Sequence, residues 1–423
     1  MNNKAAELDN IISSLAVFAA LKEDPAIDSL RDFLEADDGE TAEQLDYLSD
    51  FASELYQSGG DLPAYIRQIV MEDENAFLLA RAKSLPVTEQ MAKTAEHELD
   101  ALQVLAAFSP EDAARMMGYS GYVPGWSAAG STEGKKESGE GFDLKNEYFR
   151  MLDDIPTKGY GVFAKYYAFK IEDGELVPVK HADPQSLDTL YGYEYERGQV
   201  LNNTRVLAEG GHAANVLLYG DAGTGKSSTI KACANEFRDQ GVRLIEFDKD
   251  QISEIPAIID QVYDTPLKYI FYIDDLSFNS EDDDFCYLKG ILEGNITGKS
   301  DNIVIYATSN RRHLVRELAE DRSGTDIHVN DTLQQTMSLS ARFGITVTFQ
   351  KPQKDLYLNI VKHLAEDEKI DLPEEELFRQ AERFAIRSNG RSPRTAKQFV
   401  QLLKIEAAGV TEPETEPPYE EDW

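Results

Sequence analysis

The clearest chemical pattern in the sequence is the stretch LLYGDAGTGKSSTIKAC, which spans residues 217–233. Its glycines and its Lys–Ser pair match G-x-x-x-x-G-K-[ST], a loop that binds phosphate between a strand and a helix. Glycine lets the backbone approach a phosphate closely, and the following helix adds the positive end of its dipole. We therefore expect a nucleotide to bind at Gly220, Asp221, Ala222, Gly223, Thr224, Gly225, Lys226, Ser227 and Ser228.

A second motif, KYIFYIDDLSF, supplies carboxylates at the end of an apolar run. If the run is a strand of a parallel sheet, Asp274 lies at the carboxyl edge, where ligands bind. We expect Lys226 to reach the β- and γ-phosphates, and Ser227 and Asp274 to hold Mg²⁺. Asp275 stands where many ATPases have a glutamate that polarises the attacking water. Aspartate is one methylene shorter, so two alternative bases stay open, Glu281 and Glu293.

A third motif, NIVIYATSN, ends another apolar run in the polar residues Thr308, Ser309 and Asn310. The amide of Asn310 can orient a nucleophilic water beside the γ-phosphate. On its own the motif is only a strand that ends in a turn. As the strand that follows Asp274 in the chain, it adds a third polar group at the same sheet edge, and the three motifs together predict hydrolysis of the nucleotide.

The elements that must position these residues follow from the hydrophobic pattern. Short apolar runs at NVLLYG, VRLIEFD, KYIFYIDD and NIVIYATSN alternate with helical stretches. Buried strands that alternate with helices are typical of a parallel α/β sheet. Three helical stretches with no strand between them follow residue 353 and predict a helical lid. The predicted fold class is therefore α/β, with a parallel-sheet core that carries the phosphate loop.

The remaining segments predict a domain order. We expect an all-helical N-terminal domain at 1–120, a flexible linker at 121–142, a β-hairpin lead-in at 143–186, the α/β nucleotide-binding core at 187–352, the helical lid at 353–408 and an acidic disordered tail at 409–423. The linker prediction rests on its Gly, Ser and charged residues, and the hairpin on EDG between two apolar segments. Trp126 is either an anchor of the linker or an exposed side chain.

Charge and composition exclude some functions. The 423 residues include 42 basic and 77 acidic ones, for a net charge of −35. This excess repels phosphate backbones, so general coating of nucleic acid or of a membrane surface is disfavoured. The two cysteines, Cys233 and Cys286, lack zinc or CxxC spacing and are expected to be reduced and buried. No signal peptide or apolar run long enough to span a bilayer is visible, so we expect a cytoplasmic protein.

The order of motifs resembles that of AAA+ ATPases: a phosphate loop, an apolar run ending in two aspartates, a strand ending in asparagine, and a helical lid. The match is closer to a group of predicted bacterial AAA+ ATPases known only as a domain of unknown function. The signatures DDLSF, LKGILEG, YATSNRRHL and LSARFG carry this resemblance, which covers roughly residues 145–408. It does not extend to the N-terminal helices.

This resemblance implies roles for four residues. Asn310 would be the sensor 1 residue. SLSARFGITVTFQKPQKD is similar to a segment of bacterial replication initiators with an arginine finger, which implies that Arg342 reaches the ATP of a neighbouring subunit. GRSPRTAKQFV resembles sensor 2, so Arg394 would contact the γ-phosphate in its own subunit. LYGYEYERGQVLNNT resembles the segment that encloses adenine, which makes Tyr191 a contact of the nucleotide.

The expected function is that of a Mg²⁺-dependent ATPase, which converts ATP and water to ADP and phosphate in a homo-oligomer and remodels a partner. The N-terminal helices would contact an unidentified protein. The alternative is a nucleotide switch with little hydrolysis; a small-molecule phosphotransferase is weaker because no second substrate cradle is visible. The segment KDQISEIPAI lacks the aromatic–Gly loop of unfoldases, so threading of unfolded protein is disfavoured. Whether Arg311 and Arg312 contact nucleotide, nucleic acid or acidic side chains stays open.

Overall fold

A computed structural model describes residues 3–36, 41–129, 142–276, 283–293, 301–310, 341–388 and 390–407. The chain forms two compact units: Met1–Lys165 with Asp264–Pro266, and Tyr166–Tyr263 with Leu267–Trp423. We refer to them as the helical unit and the α/β unit. Within the described residues, every helix is too short or too polar to cross a lipid bilayer.

The helical unit consists of α-helices and one short 3-10 helix (Ala19–Glu23) in its described residues. The α-helices are α1 (Asn3–Ser14), α2 (Pro25–Glu35), α3 (Thr41–Gln57), α4 (Leu62–Glu72), α5 (Ala76–Ala82), α6 (Glu89–Leu105), α7 (Pro110–Met117), α8 (Leu144–Lys158) and α9 (Val162–Lys165). Local sequence sets several of their ends. Ser109 and Asp112 form a reciprocal capping box at the start of α7, and Gly118 ends that helix in a left-handed conformation. The predicted all-helical character of this region is confirmed.

The helical unit extends beyond the boundary expected near residue 120. Trp126 is buried, its Nε1 donates a hydrogen bond to the carbonyl oxygen of Phe108 at 2.8 Å, and its ring meets that of Phe51 at 5.0 Å. Tyr148 of α8 is fully buried in the same core, 5.3 Å from the ring of Phe18. The segment around Trp126 is thus packed rather than a free linker, and α8 belongs to this unit rather than to a hairpin lead-in. Residues 130–141 lie outside the described part of the chain.

One seven-stranded sheet forms the centre of the α/β unit. Its strands are β1 (Ala168–Glu172), β2 (Glu175–Pro178), β3 (Val216–Gly220), β4 (Val242–Phe247), β5 (Lys268–Ile273), β6 (Ile303–Ser309) and β7 (Ile345–Phe349). Their spatial order is β2-β1-β4-β5-β6-β3-β7, and every neighbouring pair is parallel except β1 and β2. The predicted α/β class with a parallel core is confirmed.

The predicted hairpin forms and is part of this sheet. Asp173 and Gly174 connect β1 to β2 with φ angles of 52° and 79°. Two positive φ angles are the signature of the two-residue turn that matches the twist of antiparallel strands. β1 also pairs in parallel with β4, so the hairpin extends the central sheet instead of preceding it as a separate element.

Helices cover the sheet and continue past it: α10 (Glu194–Ala208), α11 (Lys226–Glu236), α12 (Ile255–Val262), α13 (Asp283–Glu293), α14 (Lys354–Asp367), α15 (Glu374–Arg387) and α16 (Pro393–Ala407). The last three form the predicted lid around a separate core that includes Tyr357, Val361, Ala381 and Phe399. β6 lies between β5 and β3, so the loops that follow these three strands meet at one carboxyl edge.

Candidate functional site

The glycine-rich loop has the backbone that its sequence predicts. Gly220, Gly223 and Gly225 have φ angles of 140°, 77° and 94°, which side-chain-bearing residues rarely adopt. A Cβ atom on Gly220 would lie 2.0 Å from the carbonyl oxygen of Phe349, so this position must stay a glycine. Helix α11 begins at Lys226, directly after the loop. The loop therefore combines close backbone approach with a helix N-terminus, which is the geometry of a phosphate cradle.

Lys226 lies at the centre of the loop and is only 6% exposed. Its Nζ donates to the carbonyl oxygens of Gly220 and Asp221 and to Oδ1 of Asn310, each at 2.9 Å. Burial lowers its pKa, and the carboxylates of Asp275 and Asp221 oppose that effect. The ammonium group is thus held by neutral acceptors, which anionic phosphate oxygens can replace with stronger, charge-assisted hydrogen bonds.

The two residues expected to hold Mg²⁺ are in contact. The Oγ of Ser227 donates to Oδ1 of Asp274 at 2.9 Å, and Oγ1 of Thr308 donates to the same oxygen. Desolvation alone would raise the pKa of Asp274, but hydrogen bonds to its carboxylate, the strongest from Thr308, outweigh it and lower the pKa. Asp274 is therefore ionised at neutral pH and offers a charged oxygen to a cation.

This donor set fits Mg²⁺. The cation keeps several waters and takes one or two protein oxygens together with substrate phosphates. Among the described residues no group of three or more His, Cys, Asp or Glu side chains forms a metal site, and a site completed by phosphate and water needs none.

Asp275 and Asn310 form a second pair beside the loop. Asp275 has a φ of 47°, and its backbone N–H donates to Oγ1 of Thr308 at 3.0 Å. The Nδ2 of Asn310 donates to Oδ1 of Asp275 at 2.7 Å, while Oδ1 of Asn310 accepts from Lys226. The Asn310 amide thus connects the lysine expected to bind phosphate to the carboxylate expected to act on water.

Thr308 has a larger role than its sequence suggested. The sequence marks it only as one of three polar residues at a strand end, yet its hydroxyl contacts both Asp274 and the backbone of Asp275. Its position in β6, directly beside β5, produces these contacts. A hydroxyl residue at the end of the strand after a double aspartate is the signal that could have indicated this role.

The lid closes over the loop. The backbone N–H of Arg394 donates to the carbonyl oxygen of Gly223 at 3.2 Å, and a Cβ on Gly223 would lie 3.2 Å from Cβ of Arg394. A cavity of about 1000 Å³ lies between lid and loop, and Arg394 lines it together with Lys226, Ser227, Asp274, Asp275 and Asn310. The lining residues that were not predicted include Gln185, Arg197, Asp367, Lys397 and Gln401.

Tyr191 also lines this cavity. Its ring stacks on that of His363 with centroids 4.9 Å apart, and its hydroxyl donates to Oδ2 of Asp367 at 2.6 Å. This hydrogen bond, followed by desolvation, raises the pKa of Tyr191 to about 12. Both partners belong to helix α14, so the segment before the phosphate loop is attached to the lid.

Another buried tyrosine, Tyr272, lies below the Ser227–Asp274 pair. It is 0% exposed, and its hydroxyl has no hydrogen-bond partner among the described residues. Burial, and then the charge of Asp274, raises its pKa well above the usual range. Nothing in the hydrophobic pattern of β5 distinguishes this residue from an ordinary core tyrosine.

The structure does not bring every predicted residue to the cavity. Arg342 is half-buried just before β7 and is not one of the cavity-lining residues in the described part of the chain. Glu281, Arg311 and Arg312 lie outside the described residues, as do the side chains of Glu293 and Cys286. Cys233 is buried as expected, and burial raises the pKa of its thiol to about 12.

Comparisons with solved structures find folds of partial similarity. The RuvB Holliday junction branch migration motor of Thermotoga maritima is 16% identical, with a TM-score of 0.37 over 53% of this chain and 67% of that one. AMPPCP-bound DnaA from Aquifex aeolicus is 17% identical, with a TM-score of 0.38 over 54% and 68%. PCH-2 from C. elegans is 14% identical, with a TM-score of 0.31 over 53% and 72%.

The family comparison covers more than half of the chain. No curated protein matches the sequence. The family model described as "Protein of unknown function (DUF815)" matches residues 164–407, a range that contains every described residue of the cavity. This match agrees with the group of unknown function that the signatures DDLSF and LSARFG indicated. The chain therefore belongs to the DUF815 family.

Proposed function

We propose that this chain is an AAA+ ATPase that binds ATP with Mg²⁺ and hydrolyses it to ADP and phosphate. The observation that carries the proposal is the convergence of Lys226, the Ser227–Asp274 pair and the Asp275–Asn310 pair on one cavity, which Arg394 of the lid closes. These groups come from three neighbouring strand ends and one lid helix. Lys226 is suited to phosphate binding, the Ser227–Asp274 pair to cation binding, and the Asp275–Asn310 pair to water activation.

Phosphate binding would use the glycine-rich loop together with the positively charged side chains of Lys226 and Arg394. The backbone N–H groups of the loop and the N-terminus of α11 favour an anion. Lys226 would exchange its carbonyl and amide acceptors for phosphate oxygens, and Arg394 would approach from the lid. Ser227 and Asp274 would hold Mg²⁺, which when bound supplies positive charge to the phosphate oxygens.

Water activation would fall to Asp275. Its carboxylate lies 2.7 Å from the Asn310 amide, so the two side chains hold one another in place at the cavity wall. A carboxylate in this position can accept the proton of an attacking water while the amide orients the water. Because Asn310 also contacts Lys226, the water and phosphate positions are connected by a single side chain.

The assembly and the partner belong to the same proposal. Arg342 does not line the cavity of its own chain, and an arginine supplied by a neighbouring subunit is a known way to stabilise charge during phosphoryl transfer. We infer a homo-oligomer in the cytoplasm in which ATP turnover remodels a partner that the helical unit contacts. Nucleic acid is a weaker candidate for that partner, because the net charge is −35.

A second function, a nucleotide switch with little hydrolysis, is supported by one observation. Asp275 already uses Oδ1 to accept from Asn310, and it is shorter than glutamate. If its carboxylate cannot reach the water, ATP would bind and change the lid without turnover. The two functions differ in phosphate release and not in nucleotide binding.

The test is phosphate release from ATP by the wild-type chain and by Lys226→Met, with nucleotide binding measured in parallel. Lys268→Met is the matched control, because Lys268 begins β5 and so lies at the opposite edge of the sheet. We expect Lys226→Met to lose binding and release, and Lys268→Met to keep both. Binding without release by the wild type would favour the switch. Absence of binding by the wild type would contradict both functions.

A further inference from the structure

The hydroxyl of Tyr272 is unusual within the core of the α/β unit. The side chain is 0% exposed, and no described residue makes a hydrogen bond to its hydroxyl. Buried polar groups are nearly always hydrogen-bonded, and one that is not costs free energy that phenylalanine would avoid. A buried hydroxyl without a partner therefore calls for a function.

Tyr272 lies next to the residues proposed to hold Mg²⁺. Tyr272 and Asp274 are two residues apart at the end of β5, so their side chains point to the same face of the sheet. The hydroxyl lies close enough to Ser227 and Asp274 to affect its own pKa and that of Asp274, but its geometry falls short of a well-formed hydrogen bond to either. The unpartnered donor therefore faces the proposed cation site.

The surroundings hold the ring in place. The Nζ of Lys231 lies 5.7 Å from the ring centroid and forms an ion pair with Glu246 at 3.3 Å. Lys231 is one turn of α11 beyond Ser227, so the same helix contacts the ring and supplies the serine. The tyrosine is thus fixed beneath Ser227 and Asp274, where its hydroxyl can act with little loss of conformational freedom.

We propose that Tyr272 is a positioning residue of the Mg²⁺ site and that its hydroxyl donates a hydrogen bond to the oxygens around the cation. This inference rests on the proposed function. Both hydrogen bonds described for Asp274, from Ser227 and Thr308, end on Oδ1, and a carboxylate accepts more than two. A third donor would fix the carboxylate when Ser227 turns its oxygen toward the cation. Hydrogen bonds from residues behind the ligands orient the ligands toward the metal.

Tyr306 provides a matched control. It is paired in register with Tyr272 on the neighbouring strand β6 and is equally buried. Its hydroxyl accepts from Nδ2 of Asn203 at 2.9 Å and shares a hydrogen bond with Thr204 at 3.0 Å. The two tyrosines differ in that one hydroxyl has partners in the protein and the other faces the proposed cation site.

The experiment compares Tyr272→Phe with Tyr306→Phe in three measurements. They are thermal unfolding in EDTA, nucleotide binding in EDTA, and titration of the nucleotide-bound protein with Mg²⁺, or with Mn²⁺ followed by paramagnetic resonance. For Tyr272→Phe we expect unchanged or higher thermal stability, unchanged binding in EDTA, and a cation midpoint raised about tenfold. For Tyr306→Phe we expect lower stability and an unchanged midpoint.

Three outcomes separate this inference from the function on which it rests. A cation midpoint that is higher than the wild-type value in Tyr272→Phe, and equal to it in Tyr306→Phe, supports the inference. An unchanged midpoint in Tyr272→Phe, while the wild type responds to the cation, overturns the inference and leaves the proposed ATPase intact. A wild type that binds nucleotide with no response to either cation overturns both.

Discussion

At the scale of single residues, the backbone of Asp275 is the most informative feature. Its φ of 47° places a non-glycine residue in the left-handed region, which aspartate tolerates better than most residues. Contacts on both sides hold it there, from its N–H to Thr308 and from Asn310 to its carboxylate. Backbone strain of this kind concentrates at functional sites. Here it aims the carboxylate at the cavity beside Lys226.

We predict that Asp275→Asn retains nucleotide binding and loses hydrolysis. Asparagine has the same size and also tolerates a positive φ, so the fold is preserved while the proton acceptor is removed. Loss of a general base typically lowers the rate by about 10² to 10⁴-fold. The measurement is phosphate release at saturating ATP, with binding of a fluorescent nucleotide as the control. Unchanged turnover would exclude Asp275 as the base and direct attention to Glu281 and Glu293.

The chemistry of individual residues was largely visible in the sequence. The types and spacing of Lys226, Ser227 and Asp274 predicted a cluster that the structure brings together. Thr308 and Tyr272 could not be identified in the same way. Their significance arises from neighbours on adjacent strands and on α11, and a single strand's pattern does not say which strand lies beside it.

At the scale of elements, the contact between the segment before the phosphate loop and helix α14 connects core and lid. Besides the Tyr191–Asp367 hydrogen bond, Gly192 approaches this helix closely. Its φ is 76°, and a Cβ would lie 3.0 Å from Leu356 and 3.1 Å from Ile360. The segment therefore fits closely against the lid at a position that favours glycine.

We predict that Tyr191→Phe weakens nucleotide binding about two- to tenfold, the equivalent of one ordinary hydrogen bond. The ring and its stacking on His363 are preserved, so the maximal turnover should change little. Titration of nucleotide into both proteins measures the difference, and Tyr195→Phe, an exposed tyrosine of α10, is the control. An unaltered affinity would show that the Tyr191–Asp367 hydrogen bond between this segment and the lid does not contribute to nucleotide binding.

The same contact predicts little pH dependence. The pKa of Tyr191 is raised from 10.0 to about 12, so folding favours the protonated hydroxyl. Its contribution to stability is complete below pH 10 and is lost as the pH rises toward 12. The affinity difference between wild type and Tyr191→Phe should therefore be constant from about pH 6 to 9. A difference that changes within this range would show that another group controls the contact.

The sequence predicted which segments are helices and strands more readily than it predicted which of these elements pack against one another. The EDG turn and its flanking strands formed as expected, because positive φ angles and apolar alternation are local properties. The parallel pairing of β1 with β4, and the packing of α8 in the helical unit, join distant segments. Composition suggested a linker that begins at 121, yet Trp126 is buried, since one large aromatic outweighed the small polar residues around it.

At the scale of the whole molecule, the chain has two compact units. Among the described residues, those that line the cavity all belong to the α/β unit. The stability of the helical unit depends on aromatic packing. We predict that Trp126→Ala lowers the free energy of unfolding of this unit by about 3–5 kcal/mol, as for other large buried aromatics. Amide hydrogen exchange across α3 and α7 in the full chain measures the change. Trp126→Phe should cost less, and equal protection in all three proteins would contradict the packing described.

Subunit association is the second property of the whole molecule. If Arg342 acts on a neighbour's nucleotide, turnover per chain should fall across a roughly 100-fold dilution series. Arg342→Ala should retain nucleotide binding and lose turnover by about 10³ to 10⁵-fold. Mixing this variant with Lys226→Met should restore part of the activity. A site on the Arg342→Ala chain keeps its own Lys226 and can receive Arg342 from the neighbouring Lys226→Met chain. No restoration, together with turnover that is independent of dilution, would contradict a shared site.

The proposed ATPase function depends most directly on whether the cavity binds a nucleotide. The decisive measurement is a calorimetric titration of the wild type and Lys226→Met with a non-hydrolysable ATP analogue, with Mg²⁺ and with EDTA. We predict one nucleotide per chain, tighter binding with Mg²⁺, and loss of binding in Lys226→Met. Equal binding by both proteins, or no binding by a folded wild type, would contradict the central claim, because Lys226 lies at the centre of the proposed phosphate site.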